Sequence, residues 1–352
     1  MKYGISLLPD SRAAIRPAAQ YYDDVLRLAE LADRLGFHYV KMTEHYLHEY
    51  GGYCPSPLNF LTAVAARTER IRLMTGGIQA SFHHPVQLAA ETAQVDVLSG
   101  GRLDVGFARA FLPYEFRAFG VDMDTSRAQF QATLDAVQRL WTETKVSERT
   151  PFFSYDDATS FPAPVQAPHP PVWVAAIMSP RSFSWAGEKG FKLLMASPPQ
   201  PDDMARAGEL VKLYRDAFTA AHGEGGPEAE VGLSIPLVVA DTDEEAAEIA
   251  TPLLRAHWEV WGEAAESVLT VDSPDYQGYG AVISKTLNRG DSEVLDGAIT
   301  GSPATVAAKV GELRDALSLD TIVWQIDFGG QPFEVMERSL RLFAEKSLPL
   351  VK

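Results

Sequence analysis

A single cysteine, Cys54, stands in a chain of 352 residues, so an intramolecular disulfide is impossible and a zinc site built on thiolates is excluded. Positive charge is scarce as well. Lys and Arg number 31 against 47 Asp and Glu, giving a net charge of −16 and a pI near 4.9. No basic stripe exists to neutralise phosphates, which argues against nucleic acid and against an anionic membrane surface as partners. An acidic surface of this kind serves solubility. No apolar run approaches the ~18 residues of a spanning helix. The opening MKYGISLLPDSRAAIRP has a short apolar run broken by Pro9 and Asp10, without the apolar centre and cleavage site of a secretory leader. The expectation is a soluble, cytoplasmic protein. Three chemical signatures are also missing: GxGxxG after a strand, GxxxxGK[ST] and GxSxG. A Rossmann dinucleotide fold, a P-loop and a serine-hydrolase elbow are therefore not indicated.

What is present is a rhythm. Short apolar runs alternate with longer amphipathic segments. Strands are expected at 3–8, 39–43, 70–77, 102–109, 172–176, 192–196, 231–239 and 321–325. Helices are expected at 21–35, 58–66, 85–99, 126–141, 180–189, 202–222, 243–261, 303–317 and 332–345. Gly36 is a natural stop for the first helix. Pro85 opens the third and Gly100-Gly101 closes it, the favoured asymmetry. Asp241 or Asp243 can cap the helix at 243. About eight β-then-α units result, the count of a (β/α)8 TIM barrel, an α/β fold. Two segments interrupt the count: 150–171, a candidate hairpin, and about 262–302, a candidate lid before the last strand. Nothing reads as a flexible linker, so one domain over 1–352 is expected.

A barrel carries its chemistry at the C-terminal ends of its strands. The residues there are Glu44 and His45 after the second strand, Gly76 and Gly77 after the third, and Ala108 and Arg109 at the end of the fourth. Met178 and Ser179 follow the fifth, and Ser197 the sixth. Each has an ordinary reading too. His45 can be a loop histidine, Glu44 can pair with Arg109 or a lysine, and Gly76-Gly77 can mark a turn or bulge. His83-His84 before Pro85 reads as loop and cap. TEHYLHEYGG (43–52) places His45 and His48 three apart, but Gly51-Gly52 and Pro55 make a helix there doubtful, and no second His/Asp cluster appears at later strands. No metal is expected.

The stretches TEHYLHEYG, FHHPVQLAAETAQVDVLSGGRLDVGFARAF and EFRAFGVDMDTSRAQF, with WAGEKG (185–190) and HW (257–258), together resemble the bacterial luciferase family of flavin-dependent monooxygenases, the luciferase α subunit in particular. The resemblance runs along the chain and is strongest over 40–130. It implies a two-component enzyme: a separate NAD(P)H:flavin reductase supplies reduced FMN (FMNH2), O2 is the co-substrate, and a flavin C4a-(hydro)peroxide inserts one oxygen into a small organic substrate. It implies that His45 is the catalytic proton-transfer residue, with Glu44 orienting it or shifting its pKa. It implies that Gly76-Gly77 is a non-proline cis peptide against the flavin. Arg109 and Arg127 match phosphate-binding positions, as do Ser179 and Ser182 at a helix start. Trp258 matches a pocket-lining aromatic, and Phe111 is read as a second apolar wall. Ala108 and Met178 occupy flavin-side positions where luciferase has cysteine and glutamate, and Tyr46 replaces a second histidine. Light emission and a long-chain aldehyde substrate are thereby put in doubt. In the lid, about 272–296, Lys285 and Arg289 are candidates to close over the site. A homodimer is implied as well. Two alternatives remain: an F420-dependent dehydrogenase or reductase of the same superfamily, and a non-catalytic flavin-binding partner subunit.

Overall fold

The computed structural model describes residues 1–10, 12–223, 228–273, 276, 279–280, 283–284 and 291–351. Its strands are β1 (Lys2–Leu7), β2 (Tyr39–Met42), β3 (Arg72–Thr75), β4 (Ile78–Gln79), β5 (Leu103–Ala108), β6 (Val146–Arg149), β7 (Ser154–Ala158), β8 (Val172–Ala176), β9 (Lys192–Met195), β10 (Val231–Val239), β11 (Ile299–Gly301) and β12 (Thr321–Gln325). Its helices are α1 (Ala18–Arg34), α2 (Pro57–Ala65), α3 (Pro85–Leu98), α4 (Pro113–Phe119), α5 (Ser126–Thr142), α6 (Pro180–Glu188), α7 (Met204–His222), α8 (Asp243–Ala265), α9 (Pro303–Leu317) and α10 (Phe333–Leu342).

Eight strands pair in parallel and close on themselves in the order β12-β1-β2-β3-β5-β8-β9-β10, with β10 returning to β12. Strands covered on both faces read as near-continuous apolar runs. All nine residues of β10 are buried for that reason. Inside the barrel Tyr39, Met74, Trp173, Leu194 and Val323 form a packed layer. Outside, the apolar stripe of α1, with Val25, Leu28, Ala29 and Ala32, lies on the sheet, and the other helices repeat the arrangement. Among the described residues no helix is long and apolar enough to cross a membrane.

The expected (β/α)8 barrel is the fold. β8, β10, β12 and α9 have the expected limits. The differences have local causes. α8 runs on to Ala265, and its cap is Thr242, whose hydroxyl accepts from Glu245 N at 3.2 Å. Asp243 instead accepts from Ser302 N (2.6 Å) and Thr305 Oγ1 (2.9 Å), tying α8 to the start of α9. The hairpin of the first insertion begins at Val146, before the expected boundary, because Thr150 Oγ1 holds the turn by accepting from Phe152 N and Phe153 N. Lys285 and Arg289 of the expected lid lie outside the described residues. From that segment Tyr276 is described: it is buried, and its hydroxyl meets Ser126 Oγ (2.9 Å) and donates to Ala110 O (3.2 Å).

Near the N-terminal end of the barrel, Asp104 is fully buried on β5. It accepts from Arg72 Nε (2.7 Å), Trp173 Nε1 (2.9 Å) and Tyr39 OH (3.4 Å). Removing it leaves the Trp173 indole N–H and Arg72 Nε without their acceptor. Asp104→Ala is expected to cost about 3 kcal/mol of stability, read as a lowered midpoint in denaturant unfolding. A midpoint equal to the parent's would show that this cluster is not a staple of the barrel.

Candidate active site

The C-terminal mouth is organised where β3 leaves the sheet. The Gly76–Gly77 peptide is cis. A Cβ on Gly76 would lie 2.0 Å from Lys41 Cε, and one on Gly77 would lie 2.6 Å from the Phe107 carbonyl carbon. Neither position has room for a side chain. Thr43 Oγ1 donates to Gly76 O (3.1 Å), and Lys41 Nζ donates to Thr43 Oγ1 (3.1 Å) and Ser6 Oγ (2.9 Å) inside the barrel. Burial brings the Lys41 ammonium down to about 8, with the negative charge of Asp327 opposing the shift.

The loop after β2 closes back on itself. His45 N donates to Cys54 O (3.2 Å), and Tyr50 N donates to His48 Nδ1 (3.1 Å). His48 is thus spent on its own turn. Among the described residues no three His, Cys, Asp or Glu side chains gather as metal ligands. His45 is buried, and its Nδ1 lies 3.1 Å from Glu115 Oε1 on α4. The same oxygen accepts from Tyr46 N at 2.8 Å. The ring of His45 lies 4.9 Å from that of Tyr50 and edge-on to Phe111 at 6.0 Å.

Glu44 does not orient His45 in the expected way; Glu115 is the carboxylate that contacts it. Glu44 turns to the other side, where it accepts from Tyr46 OH (2.5 Å) and meets His83 Nε2 at 2.8 Å. Its backbone carbonyl accepts from Gln79 Nε2 at 2.9 Å. The physical reason is alternation: adjacent residues leaving a strand point to opposite sides. His84 is the helix cap that was expected, accepting from Val86 N at 3.3 Å, but His83 belongs to the site. Glu115, Gln79 and His83 were missed by sequence reasoning. Only the adjacency of His83 to the expected cap gave any signal.

Arg109 after β5, Arg127 on α5 and Ser182 on α6 converge on one cavity, completed by Gln131, Trp185 and Ala175. Arg127 Nη1 donates to Ser182 Oγ at 3.4 Å, and the Arg109 guanidinium lies 4.2 Å from the centroid of the Tyr276 ring. Ser179 heads α6, its carbonyl accepting from Ser182 N at 2.9 Å. Met178 packs on the main apolar core, and Ala108 pairs with Gln79 at the end of β5. Ala108, Met178 and Ser179 are not among the residues lining this cavity. Phe111 packs with Tyr50, Leu112, Trp261 and Tyr279. Trp258 lies one turn away in a neighbouring cluster with Leu254 and Phe328. Trp261 is therefore the α8 tryptophan in the Phe111 cluster.

A closed parallel barrel with two arginines lining one cavity and a buried histidine–carboxylate pair at its C-terminal mouth has the layout of a barrel enzyme. The chain belongs to the luciferase-like monooxygenases, whose family profile matches residues 1–319. The solved structure of the monooxygenase RslO1 from Streptomyces bottropensis is 38% identical, covers 99% of each chain and superposes with a TM-score of 0.84. The oxygenase component of the flavin-dependent trigonelline monooxygenase of Acinetobacter baylyi is 34% identical over 173 residues, 49% of this chain and 47% of that protein. The match thus spans about half the length of that relative. The FMNH2-dependent dimethylsulfone monooxygenase of Pseudomonas putida is 24% identical over 340 residues, 93% of this chain and 87% of that one.

Burial opposes the charged form of His83, but the hydrogen bond and charge of Glu44 outweigh it, so the His83 pKa is raised. A raised folded-state pKa contributes stability that is complete below the unfolded imidazole value of about 6.5 and is lost as pH rises through the folded value. The stability gap between the parent and His83→Gln should therefore be wider at about pH 5.5 than at about pH 9. A gap that widened with pH in urea unfolding would overturn the pairing.

Proposed function

We propose that this chain is the oxygenase of a two-component FMNH2-dependent monooxygenase acting on a small organic substrate, with O2 as co-substrate and a separate NAD(P)H:flavin reductase as supplier. The reading is supported most by one observation: Arg109, Arg127 and Ser182 meet in one cavity at the C-terminal end of the barrel strands, the end where His45 follows β2. Two guanidinium forks and a hydroxyl suit a phosphate monoester. The site fits a reduced flavin in a second way. Among the described residues Gln79 Oε1 and Glu115 Oε2 are buried acceptors without a hydrogen-bond partner, and a reduced flavin brings ring N–H donors. The relatives named above as flavin-dependent and FMNH2-dependent point the same way.

Bound FMNH2 would supply the two electrons that let one atom of O2 enter the substrate while the other leaves as water. The chain's own residues do the rest. Glu115 on Nδ1 fixes the tautomer of His45 and leaves Nε2 to give or take a proton. Glu44, held by Tyr46 and His83, keeps β4 against the loop that carries His45. Tyr50, Phe111 and Trp261 wall the mouth with apolar surface and exclude water. The barrel acts as one unit, as a homodimer in the cytoplasm.

Anaerobic titration tests this directly. FMNH2 should bind, and oxygenation with isotopically labelled O2 should leave one labelled atom in the product. Reduction of substrate by reduced F420, with no binding of FMNH2, would sink the proposal. Arg109→Ala and Arg127→Ala should weaken FMN about 10-fold or more and leave riboflavin nearly unchanged; equal losses for both ligands would remove the arginines from the phosphate. His45→Ala should cut turnover by roughly 10²-fold while FMN binding persists. Parental turnover in that variant would remove His45 from the proton transfers.

A further inference from the structure

A third histidine–carboxylate pair stands at the same end of the barrel. Asp10, just beyond β1, is 1% exposed, and His257, on α8, is 4% exposed. They are 247 residues apart in sequence, yet His257 Nδ1 hydrogen-bonds Asp10 Oδ2. Asp10 Oδ1 accepts from Gly329 N at 2.8 Å. The aspartate is thus held on both oxygens, and it takes the proton-bearing Nδ1 of the imidazole. Nε2 is left as the basic nitrogen. The imidazole packs against the rings of Trp258 (centroids 4.8 Å apart) and Phe328 (6.2 Å).

The groups around the pair are few. Asp327, beyond β12, accepts from Leu8 N (3.1 and 3.0 Å) and Tyr21 OH (2.7 Å). Burial and the charge of Asp10 raise Asp327 to about 6. Tyr50 is the third group. Burial raises its phenol, and the charges of Asp10 and Glu115 add to the shift. Its ring touches His45 and packs with Leu8, Phe111 and Trp261. The Tyr50 loop thus meets the His45–Glu115 pair through its ring and the chain beyond β1 that carries Asp10 through Gly51 N, which donates to Pro9 O.

The proposed function uses His45 and Glu115 for proton transfer and Glu44 and His83 to hold β4; it gives Asp10 and His257 no task. We propose that Asp10 and His257 form a separate acid–base pair for the substrate, and that the substrate is an aromatic or conjugated molecule with an ionisable hydroxyl, a phenol or an enol. His257 Nε2 takes the hydroxyl proton, the O–H electron pair stays on the substrate oxygen, and Asp10 stabilises the imidazolium. The proton returns to the product as it leaves. The resulting oxyanion enriches the adjacent ring or enol carbon, which is the carbon that an electrophilic oxygen attacks. His257 is the catalytic residue in this step, and Asp10 is its positioning residue. The inference rests on the monooxygenase reading for its purpose, but its test does not.

The probe is 4-nitrophenol, whose phenolate is yellow, titrated against pH with the cofactor-free protein. The bound probe should ionise about one pH unit lower than the free probe, a tenfold change in its ionisation constant. His257→Gln should abolish the shift. Asp10→Asn keeps the acceptor for Gly329 and should reduce it. His45→Gln should leave it intact. Thermal melts establish that each variant is folded. No shift with the parent protein, or a shift that survives His257→Gln, overturns the proposal, and an unchanged shift in Asp10→Asn removes Asp10 from it. The titration contains no flavin, so failure to bind FMNH2 and failure of this pair would be seen separately.

Discussion

The site depends on the absence of side chains where β3 leaves the barrel. At Gly77 a Cβ would press into the β5 backbone, 2.9 Å from Ala108 N, and at Gly76 into the stem of Lys41. Without them the chain crosses close enough for β4 to pair with the end of β5, Ile78 opposite Phe107 and Gln79 opposite Ala108. That pairing presents Gln79 to the β2 loop. Its backbone N–H donates to Glu44 Oε2 and its side-chain amide to Glu44 O, so the loop is fixed by a neighbouring strand and not by its own hydrogen bonds alone. His45 inherits its direction from this clamp. A residue with any side chain at Gly77 would separate β4 from β5 and free the loop that carries the chemistry.

Electrostatics follow the same economy. Three buried carboxylates at or near the mouth each meet an imidazole: Glu44 with His83, Glu115 with His45, and Asp10 with His257. A buried carboxylate needs a partner. An imidazole serves as one while still able to exchange a proton near neutrality, which a guanidinium cannot do. The guanidiniums are placed elsewhere, at the Arg109 and Arg127 cavity, where a permanent positive charge suits an anion. Fixed charge and movable charge are kept on different side chains.

The barrel was legible because parallel strands and their covering helices obey strong periodicities. The runs at 172–176, 231–239 and 321–325 read as strands because they are short, apolar and each followed by a longer amphipathic segment. His45, Arg109, Arg127 and Ser182 were singled out by motif resemblance, and the structure brings Arg109, Arg127 and Ser182 to one cavity. Their partners were not. Glu115 lies 70 residues beyond His45, on a short helix outside the β-then-α count. Trp261 and Trp258 sit three apart on one helix, and no sequence pattern says which of them faces Phe111. Asp10 was noted only as a break in an apolar run. Sequence periodicity reports burial along one element; it does not report which two loops meet across a barrel mouth.

That division has a consequence for the family. The residues that close the barrel lie on strands whose packing tolerates few changes. The residues that wall the mouth, Tyr50, Phe111 and Trp261, lie on a loop, a β5 extension and the last turns of α8, beyond the strands themselves. Substituting them alters what the mouth can hold without disturbing the β4–β5 pairing or the arginine cavity. A relative can therefore match 99% of the chain with a TM-score of 0.84 at 38% identity and still differ at the mouth, because the fold is set by one group of residues and the aromatic wall by another.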